Sequence, residues 1–451
     1  MEGKFMSLDR FVFGVATASY QIEGAAFEDG KTASIWDTFS HTPGRVRNNE
    51  NGDVACDHYH RYKEDVQLIA DLGVEYYRFS VSWPRIFPRQ GEYNPAGMAF
   101  YKDLLKEVKG KGLKAAVTLY HWDLPQWCQD LGGWPNRESC DWFLEFAQKC
   151  YEELRDVDMW FTFNEPMCIC ELGYGAGAHA PGIRDTKQFL QSWHNVALSH
   201  GRAVKLYREM GLTAPMGIVI NTQQQTALDP NNTDDVRTAD FANDAFNGWY
   251  LYPLFRGCYP QTGKRLYRNI ENALDFVQPG DFEIIGEPID FIAINFYQEF
   301  YVRYKGERDG IIQYETVPAD GPKTMLDWNI TPQGLENVIR QIRQYTDLPL
   351  LVAENGSAWA DVVSEDGGVH DTQRIAYLKD HLEAVRQANE KGLNVCGYFA
   401  WSLMDNFEWS EGYDPRFGLI YVDYATQRRI PKDSYYVYRD LIKEWSNNGG
   451  N

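Results

Sequence analysis

The sequence predicts an α/β protein folded as a single (β/α)8, or TIM, barrel over residues 1–451, with long βα loops forming a functional mouth. Three observations predict it. Eight short, strongly apolar segments recur along the chain, most are followed by an amphipathic helical pattern, and no Pro-rich, Ser-rich or single-sign tract divides them. Strand, helix, strand repeated eight times with right-handed crossovers closes into a barrel. An open doubly wound sheet is the alternative built from the same units.

The apolar segments are 11–16, 74–80, 114–119, 159–164, 216–221, 290–295, 348–353 and 395–400. Several are nearly continuous in apolar or aromatic residues, as expected for parallel strands covered on both faces. After the second strand, Asn94 and Pro95 read as N-cap and first helical residue. Phe100, Tyr101, Leu104, Leu105 and Val108 then form one stripe, and Gly112 stops the helix before the third strand. After the seventh, Asp371 is placed to cap a helix carrying Ile375, Leu378, Leu382 and Val385 on one face and ending near Gly392. Three connections exceed simple turns: 17–56, 223–282 with a helix around 235–254, and 298–330. Loops of that length in a barrel usually shape a functional mouth.

Lys and Arg total 44 against 64 Asp and Glu, a formal charge of −20, which disfavours nucleic acid and anionic membrane as partners. Residues 1–10 carry charges at Glu2, Lys4, Asp9 and Arg10 and lack a secretory apolar core, so a cytoplasmic location is expected. No apolar run approaches the roughly 20 residues of a spanning helix. The eight cysteines, at 56, 128, 140, 150, 168, 170, 258 and 396, contain no CxxC pair and are expected to be reduced, mostly buried thiols. The sequons at Asn231, Asn329 and Asn355 are expected to be chance matches.

Reactive groups of such a barrel gather at the C-terminal ends of the strands. The residues there are Gln21, Arg78, His121 with Trp122, Asn164 with Glu165, Asn295 with Tyr297, Glu354, and Trp401 followed by Glu408 and Trp409. Glu165 and Glu354 each end a buried strand, the fourth and the seventh, where an ionised carboxylate is costly without a purpose. Reaching inward from opposing sides, they can approach to about 5 Å, the separation for double displacement at a sugar anomeric carbon. Salt-bridged or capping glutamates are the structural alternative. Arg78 and the Tyr297 hydroxyl can both donate to Glu354 and keep it an ionised nucleophile. Glu165, flanked by neutral Phe163, Asn164 and Pro166, should have its pKa raised by a negative Glu354 and so hold a proton near neutrality. Asn164 can donate to a sugar 2-hydroxyl. Trp122, Trp401 and Trp409 offer stacking platforms, and Gln21, His121 and Glu408 can bind hydroxyls.

These residues lie in runs that closely resemble the motifs of glycoside hydrolase family 1. The runs are 13–24 (FGVATASYQIEG), 77–85 (YRFSVSWPR), 120–125 (YHWDLP), 162–166 (TFNEP), 354–356 (ENG) and 401–409 (WSLMDNFEW), in order over nearly the whole chain. The resemblance implies a TIM barrel with retaining β-glycosidase activity, of the kind that degrades cellobiose, and no cofactor or metal. It makes Glu165 the acid/base and Glu354 the nucleophile. Gln21, His121, Asn164, Trp401, Glu408 and Trp409 fall around the non-reducing sugar, with Tyr297 beside the nucleophile, and the peptide after Trp401 is expected to be cis. The Thr or Ser common before the nucleophile is Ala353 here; alternation points that side chain away from Glu354, so a packing change with activity retained is expected.

The expected function is hydrolysis of terminal non-reducing β-D-glucosyl residues, with β-D-galactosyl and β-D-fucosyl residues also open because one hydroxyl contact is worth only about 1–3 kcal/mol. The expected partner is a small-molecule β-glycoside or oligosaccharide, and homo-oligomerisation stays open. Three alternatives stand beside this. A 6-phospho-β-glycosidase needs cations and small hydroxylated residues where this chain has Glu408 and Trp409. A non-catalytic sugar-binding relative would be expected to lack a catalytic glutamate, and an external-base thioglycosidase to lack the acid/base, yet Glu165 and Glu354 are both present. Met167, Cys168, Tyr174, His179 and the 298–330 loop are expected to line the aglycone side. Cys168 and Cys170 read as small apolar helix residues.

Overall fold

Parallel strands close into a barrel in the computed structural model, which describes residues 10–318 and 320–447. The strands are β1 (Val12–Ala16), β2 (Tyr76–Ser80), β3 (Lys114–Tyr120), β4 (Met159–Asn164), β5 (Met216–Asn221), β6 (Phe291–Asn295), β7 (Leu350–Asn355) and β8 (Val395–Trp401). Each pairs with its neighbours in sequence, and β1 pairs with both β2 and β8, which excludes the open doubly wound sheet. Each overlaps one apolar segment; β7 runs on to include Glu354, and β8 to include Trp401.

The barrel has two apolar layers. Val12, Met159, Phe161, Val219, Ala293, Leu351 and Phe399 pack together inside it. Val117, Leu119, Ile218, Ile292, Ile294 and Val352 belong to the larger cluster shared with the surrounding helices. Fully burying a side chain of this kind contributes about 1.5–3 kcal/mol.

Helix Pro95–Gly110 starts as the sequence predicts, with the Asn94 side chain accepting from the Ala96 N–H at 3.2 Å. Helix Thr372–Glu390 begins after Asp371, but that carboxylate does not cap it. Asp371 instead pairs with Arg374 and accepts from Ser434 at 2.9 and 2.5 Å, because a buried cation and the start of the C-terminal helix compete for it.

The long connections are more ordered than simple mouth loops. Residues 223–282 contain helix Thr233–Arg256, and strand Gln224–Ala227 from this connection pairs with a hairpin, Glu299–Arg308 and Ile311–Val317, from the 298–330 connection. This three-stranded sheet escapes the sequence reading because its pairing joins segments far apart in the chain and its burial pattern is mixed. The described cysteines are free thiols, all buried except the half-buried Cys258. Asn329 and Asn355 are buried within their sequons. Among the described residues no helix is long and apolar enough to cross a membrane. The charged residues Glu2, Lys4 and Asp9 lie outside the described residues.

Candidate active site

The two glutamates enter the barrel mouth through irregularities in their strands. In β4, pairing with β5 shifts register between Phe161 and Asn164. Thr162 bonds His200 at 2.7 Å on the helix side, and Phe163 packs against Trp134 and Phe143 on that same side. Two successive outward residues are a bulge, and a bulge re-aims the residues after it. Asn164 therefore turns inward, and Glu165 comes next with φ of 50°. In β7 the register shifts between Val352 and Asn355, and Glu354 is turned inward. Ala353 packs with the inner barrel residues Leu351, Val219 and Phe161. It is not on the outer face that simple alternation from an inward Glu354 implies, because the bulge breaks the alternation.

A hydrogen-bonded chain joins these carboxylates across the barrel. Arg78 donates Nη1 to Glu354 Oε1 at 2.6 Å and Nη2 to Asn164 Oδ1 at 2.7 Å. Tyr297 donates to Glu354 Oε2 at 2.8 Å. Asn295 Nδ2 reaches Asn164 Oδ1 at 3.1 Å and Glu165 Oε1 at 2.5 Å. Asn164 Nδ2 meets His121 Nε2 at 3.1 Å, while the Trp122 ring N–H donates to the Asn164 carbonyl at 2.9 Å.

Electrostatics separate the pair. Burial and then the charge of Glu354 push Glu165 up to about 7, against weaker pulls from Cys168, Asn295 and Arg78. Burial also raises Glu354, but Arg78, Tyr297 and Asn295 oppose it. Glu354 thus has the direct cationic partner, and negative charge rests there. Glu408 is pushed up to about 8 by burial and by the two other carboxylates. Burial and Arg78 hold His121 well below the usual imidazole range, so its ring is neutral.

A cavity of about 320 Å³ opens onto both glutamates. His121, Trp122, Trp401, Glu408 and Trp409 line it beside Glu165, Glu354 and Tyr297. The His121 ring stacks with those of Trp401 and Trp409, each at 6.0 Å, and Trp122 lies 4.4 Å from Trp409. The Trp401–Ser402 peptide is cis. Gln21, Arg78, Asn164 and Asn295 are buried behind this lining. Gln21 Oε1, His121 Nδ1, Asn295 Oδ1 and Glu408 Oε2 are buried with no protein partner. An unmade buried hydrogen bond costs about 1–3 kcal/mol, so the two of these atoms that belong to cavity-lining residues, on His121 and Glu408, fit a ligand rich in hydroxyls.

On the outer side Met167, Cys168, His179 and Gln298 also line the cavity, whereas Tyr174 does not. The Tyr174 side chain is fully buried, its hydroxyl donating to Gln129 at 2.6 Å and accepting from the Trp134 N–H at 3.2 Å, because its helical segment turns it inward. Sequence reasoning passed over Asn221, whose Nδ2 lies 3.3 Å from Glu165 Oε2. It ends the fifth apolar run, so the strand-end criterion could have found it. Asn406, which accepts from Gln21 at 3.0 Å, lies within the 401–409 run but was not singled out there, and Trp328 in the outer wall carried no local signal. Cys168, read as a small apolar residue, donates its thiol to Glu165 Oε2 at 2.9 Å.

A family model described as glycosyl hydrolase family 1 matches residues 4–447. The chain is 44% identical to β-glucosidase A of Acetivibrio thermocellus, over 97% of this chain and 98% of that protein. It is 41% identical to a bifunctional β-D-glucosidase/β-D-fucosidase of Bifidobacterium breve, over 97% and 98%. Among solved structures, the family 1 β-glucosidase of Exiguobacterium antarcticum B7 superposes with a TM-score of 0.93 at 47% identity, covering 97% of this chain and 98% of that one.

Proposed function

The chain belongs to glycosyl hydrolase family 1, and from that premise we propose that it is a β-glucosidase that releases terminal non-reducing β-D-glucosyl residues with retention, Glu354 acting as nucleophile and Glu165 as acid/base. The observation that carries the reading is the asymmetry of two buried carboxylates facing one cavity: Glu354 receives Arg78 and Tyr297, while Glu165 receives no direct cation and is pushed up to about 7.

In the first step the Glu354 oxygen attacks the anomeric carbon. The bond to the glycosidic oxygen breaks as Glu165 gives that oxygen its proton. The charge on Glu354 is consumed in the new ester, which removes one of the causes that hold the Glu165 proton. Glu165 then takes a proton from water, whose oxygen displaces Glu354 from the same carbon. Asn295 orients Glu165, and Asn164, held by Arg78, keeps an amide hydrogen available for the 2-hydroxyl. The unpartnered atoms of Gln21, His121 and Glu408 suit the remaining hydroxyls, and Trp401 and Trp409 suit the ring face. The fucosidase activity named for the Bifidobacterium relative supports tolerance at the sugar 4- and 6-positions, because D-fucose carries an axial 4-hydroxyl and lacks the 6-hydroxyl. The substrate is a neutral small-molecule β-glycoside or β-linked oligosaccharide such as cellobiose, and a single catalytic domain suffices.

Turnover of aryl β-glycosides tests the reading. The wild type should hydrolyse the glucoside, and Glu354→Ala should lose about 10⁴-fold or more. Glu165→Ala should be rescued by azide with release of the β-glycosyl azide. Inertness of the wild type on every glycoside, or substantial activity in Glu354→Ala, refutes the assignment, and an α-azide refutes retention. A panel of glucoside, galactoside, fucoside and 6-phosphoglucoside reads the glycone preference.

A further inference from the structure

Glu165 meets different donors at its two carboxylate oxygens. Oε1 is held by the Asn295 amide at 2.5 Å. Oε2 meets the Cys168 thiol at 2.9 Å and, more distantly, the Asn221 amide at 3.3 Å. With Oε1 committed to a short amide bond, Oε2 is the oxygen left to carry the catalytic proton. Cys168 is buried, lines the cavity and sits one turn of chain beyond Glu165, at the start of the helical segment Cys168–Gly175. The remaining titratable and charged groups facing Glu165 are Glu354 from β7, Arg78 from β2, Tyr297 beyond β6 and Glu408 beyond β8; His121, His179 and Glu411 line the same cavity. Asn221 of β5 and Asn295 of β6 are neutral. Among these, the thiol is the donor nearest Oε2, and its one sulfur can both donate and accept.

Resting on the acid/base reading of Glu165, we propose that Cys168 is a positioning residue whose thiol acts as an adjustable donor to Oε2. When Glu165 has given its proton to the leaving oxygen, the S–H bonds the new carboxylate. When Oε2 takes a proton from water, the S–H turns away and the sulfur accepts weakly. Sulfur is a weak donor and weak acceptor, so this exchange costs little in either direction. A hydroxyl in its place would hold the carboxylate more strongly and resist reprotonation; a methyl group would not support the carboxylate at all. The negative charge of Glu165 in turn keeps Cys168 a thiol by raising its pKa, after burial the largest cause. The residue is therefore a donor and not a nucleophile.

The test is the pH profile of kcat/KM on phenyl β-glucoside, whose leaving group needs the acid, for the wild type, Cys168→Ala and Cys168→Ser. A donor to the ionised form lowers a carboxyl pKa, so its removal raises it. The basic limb should move up by about half a pH unit in Cys168→Ala and down by a similar amount in Cys168→Ser. The acidic limb, set by Glu354, should stay in place. Basic limbs that do not move, or that move in the same direction in both variants, overturn the proposal. If Cys168→Ala fails to fold, the downward shift of Cys168→Ser decides it alone. 2,4-Dinitrophenyl β-glucoside separates this from failure of the underlying reading. Should Glu165→Ala lose the activated and the unactivated substrate equally, Glu165 is not the acid; should it lose only the phenyl substrate while the Cys168 variants leave the basic limb unmoved, only the role of Cys168 falls.

Discussion

Glu408 brings a third carboxyl into the buried corner that already holds Glu165 and Glu354, and the three disfavour one another's charge. In an unfolded chain Glu408 ionises near its ordinary 4.5, whereas in the folded protein it keeps its proton to about 8. Folding therefore binds a proton across that window, and stability falls as pH rises through it. Glu408→Gln removes this liability. Its thermal midpoint should exceed that of the wild type at pH 8, by a difference on the order of 2 kcal/mol, and approach it at pH 5, while its KM for glucosides rises. An equal gap at both pH values would show that Glu408 is not held neutral. Glu165, Trp122 and Trp409 add a second local cost, since each has a positive φ, of 50°, 80° and 52° respectively. Such non-glycine conformations cost about 1–3 kcal/mol each and persist where surrounding contacts impose them. The strand-end rule picked out the two glutamates with Arg78, Asn295 and Tyr297 from residue types alone, and passed over Asn221. It missed what Cys168 touches, because a cysteine in an apolar run looks the same whether its thiol meets a carboxylate or a methyl group.

At the scale of elements, stability depends on how closely helices approach one another. Gly201, inside helix Thr186–Glu209, faces helix Asp281–Ile285 so closely that a β-carbon there would stand 1.8 Å from the Ile284 carbonyl oxygen. Backbone cannot yield as a flexible side chain can. Gly201→Ala should lower stability by about 2–3 kcal/mol, read from the urea midpoint, with little change in kcat because no cavity residue moves directly. An unchanged midpoint would mean the two helices separate without cost. The bulges of β4 and β7 are the other decisive element-scale feature. Periodicity places both strands within a residue or two, but register shifts leave no local pattern, and they decide that Asn164 and Glu354 face inward. The same limit hid the three-stranded sheet that joins two long connections.

Across the whole molecule, the C-terminal segment locks both the barrel seam and the cavity-lining loop that carries Glu408 and Trp409. The Tyr438 hydroxyl lies 3.0 Å from the Gly14 carbonyl of β1 and 3.4 Å from the Tyr398 carbonyl of β8, the first and last strands. Lys432 is fully buried and donates to Asp361 and Asp405, each at 2.6 Å, while Arg374 and Arg416 complete the network. Asp405 belongs to the loop that leads to Glu408 and Trp409. Lys432→Met should strand buried carboxylates, costing about 3–5 kcal/mol in thermal or denaturant unfolding and raising KM, with the pH limbs of Glu165 and Glu354 unmoved. A stable variant with an unaltered KM would show that the loop holds itself. Apolar periodicity and chain continuity are local properties, so the order of strands and helices and the residue types at the strand ends were legible in the amino-acid order alone. That order does not say which oxygen of Glu165 meets the Cys168 thiol, which way Ala353 faces, or that Asp371 serves Arg374 and Ser434 in place of its own helix. These depend on the closed barrel, where strand register and burial decide which partners compete for a group, whether near in the chain, as Cys168 is to Glu165, or distant, as Ser434 is from Asp371.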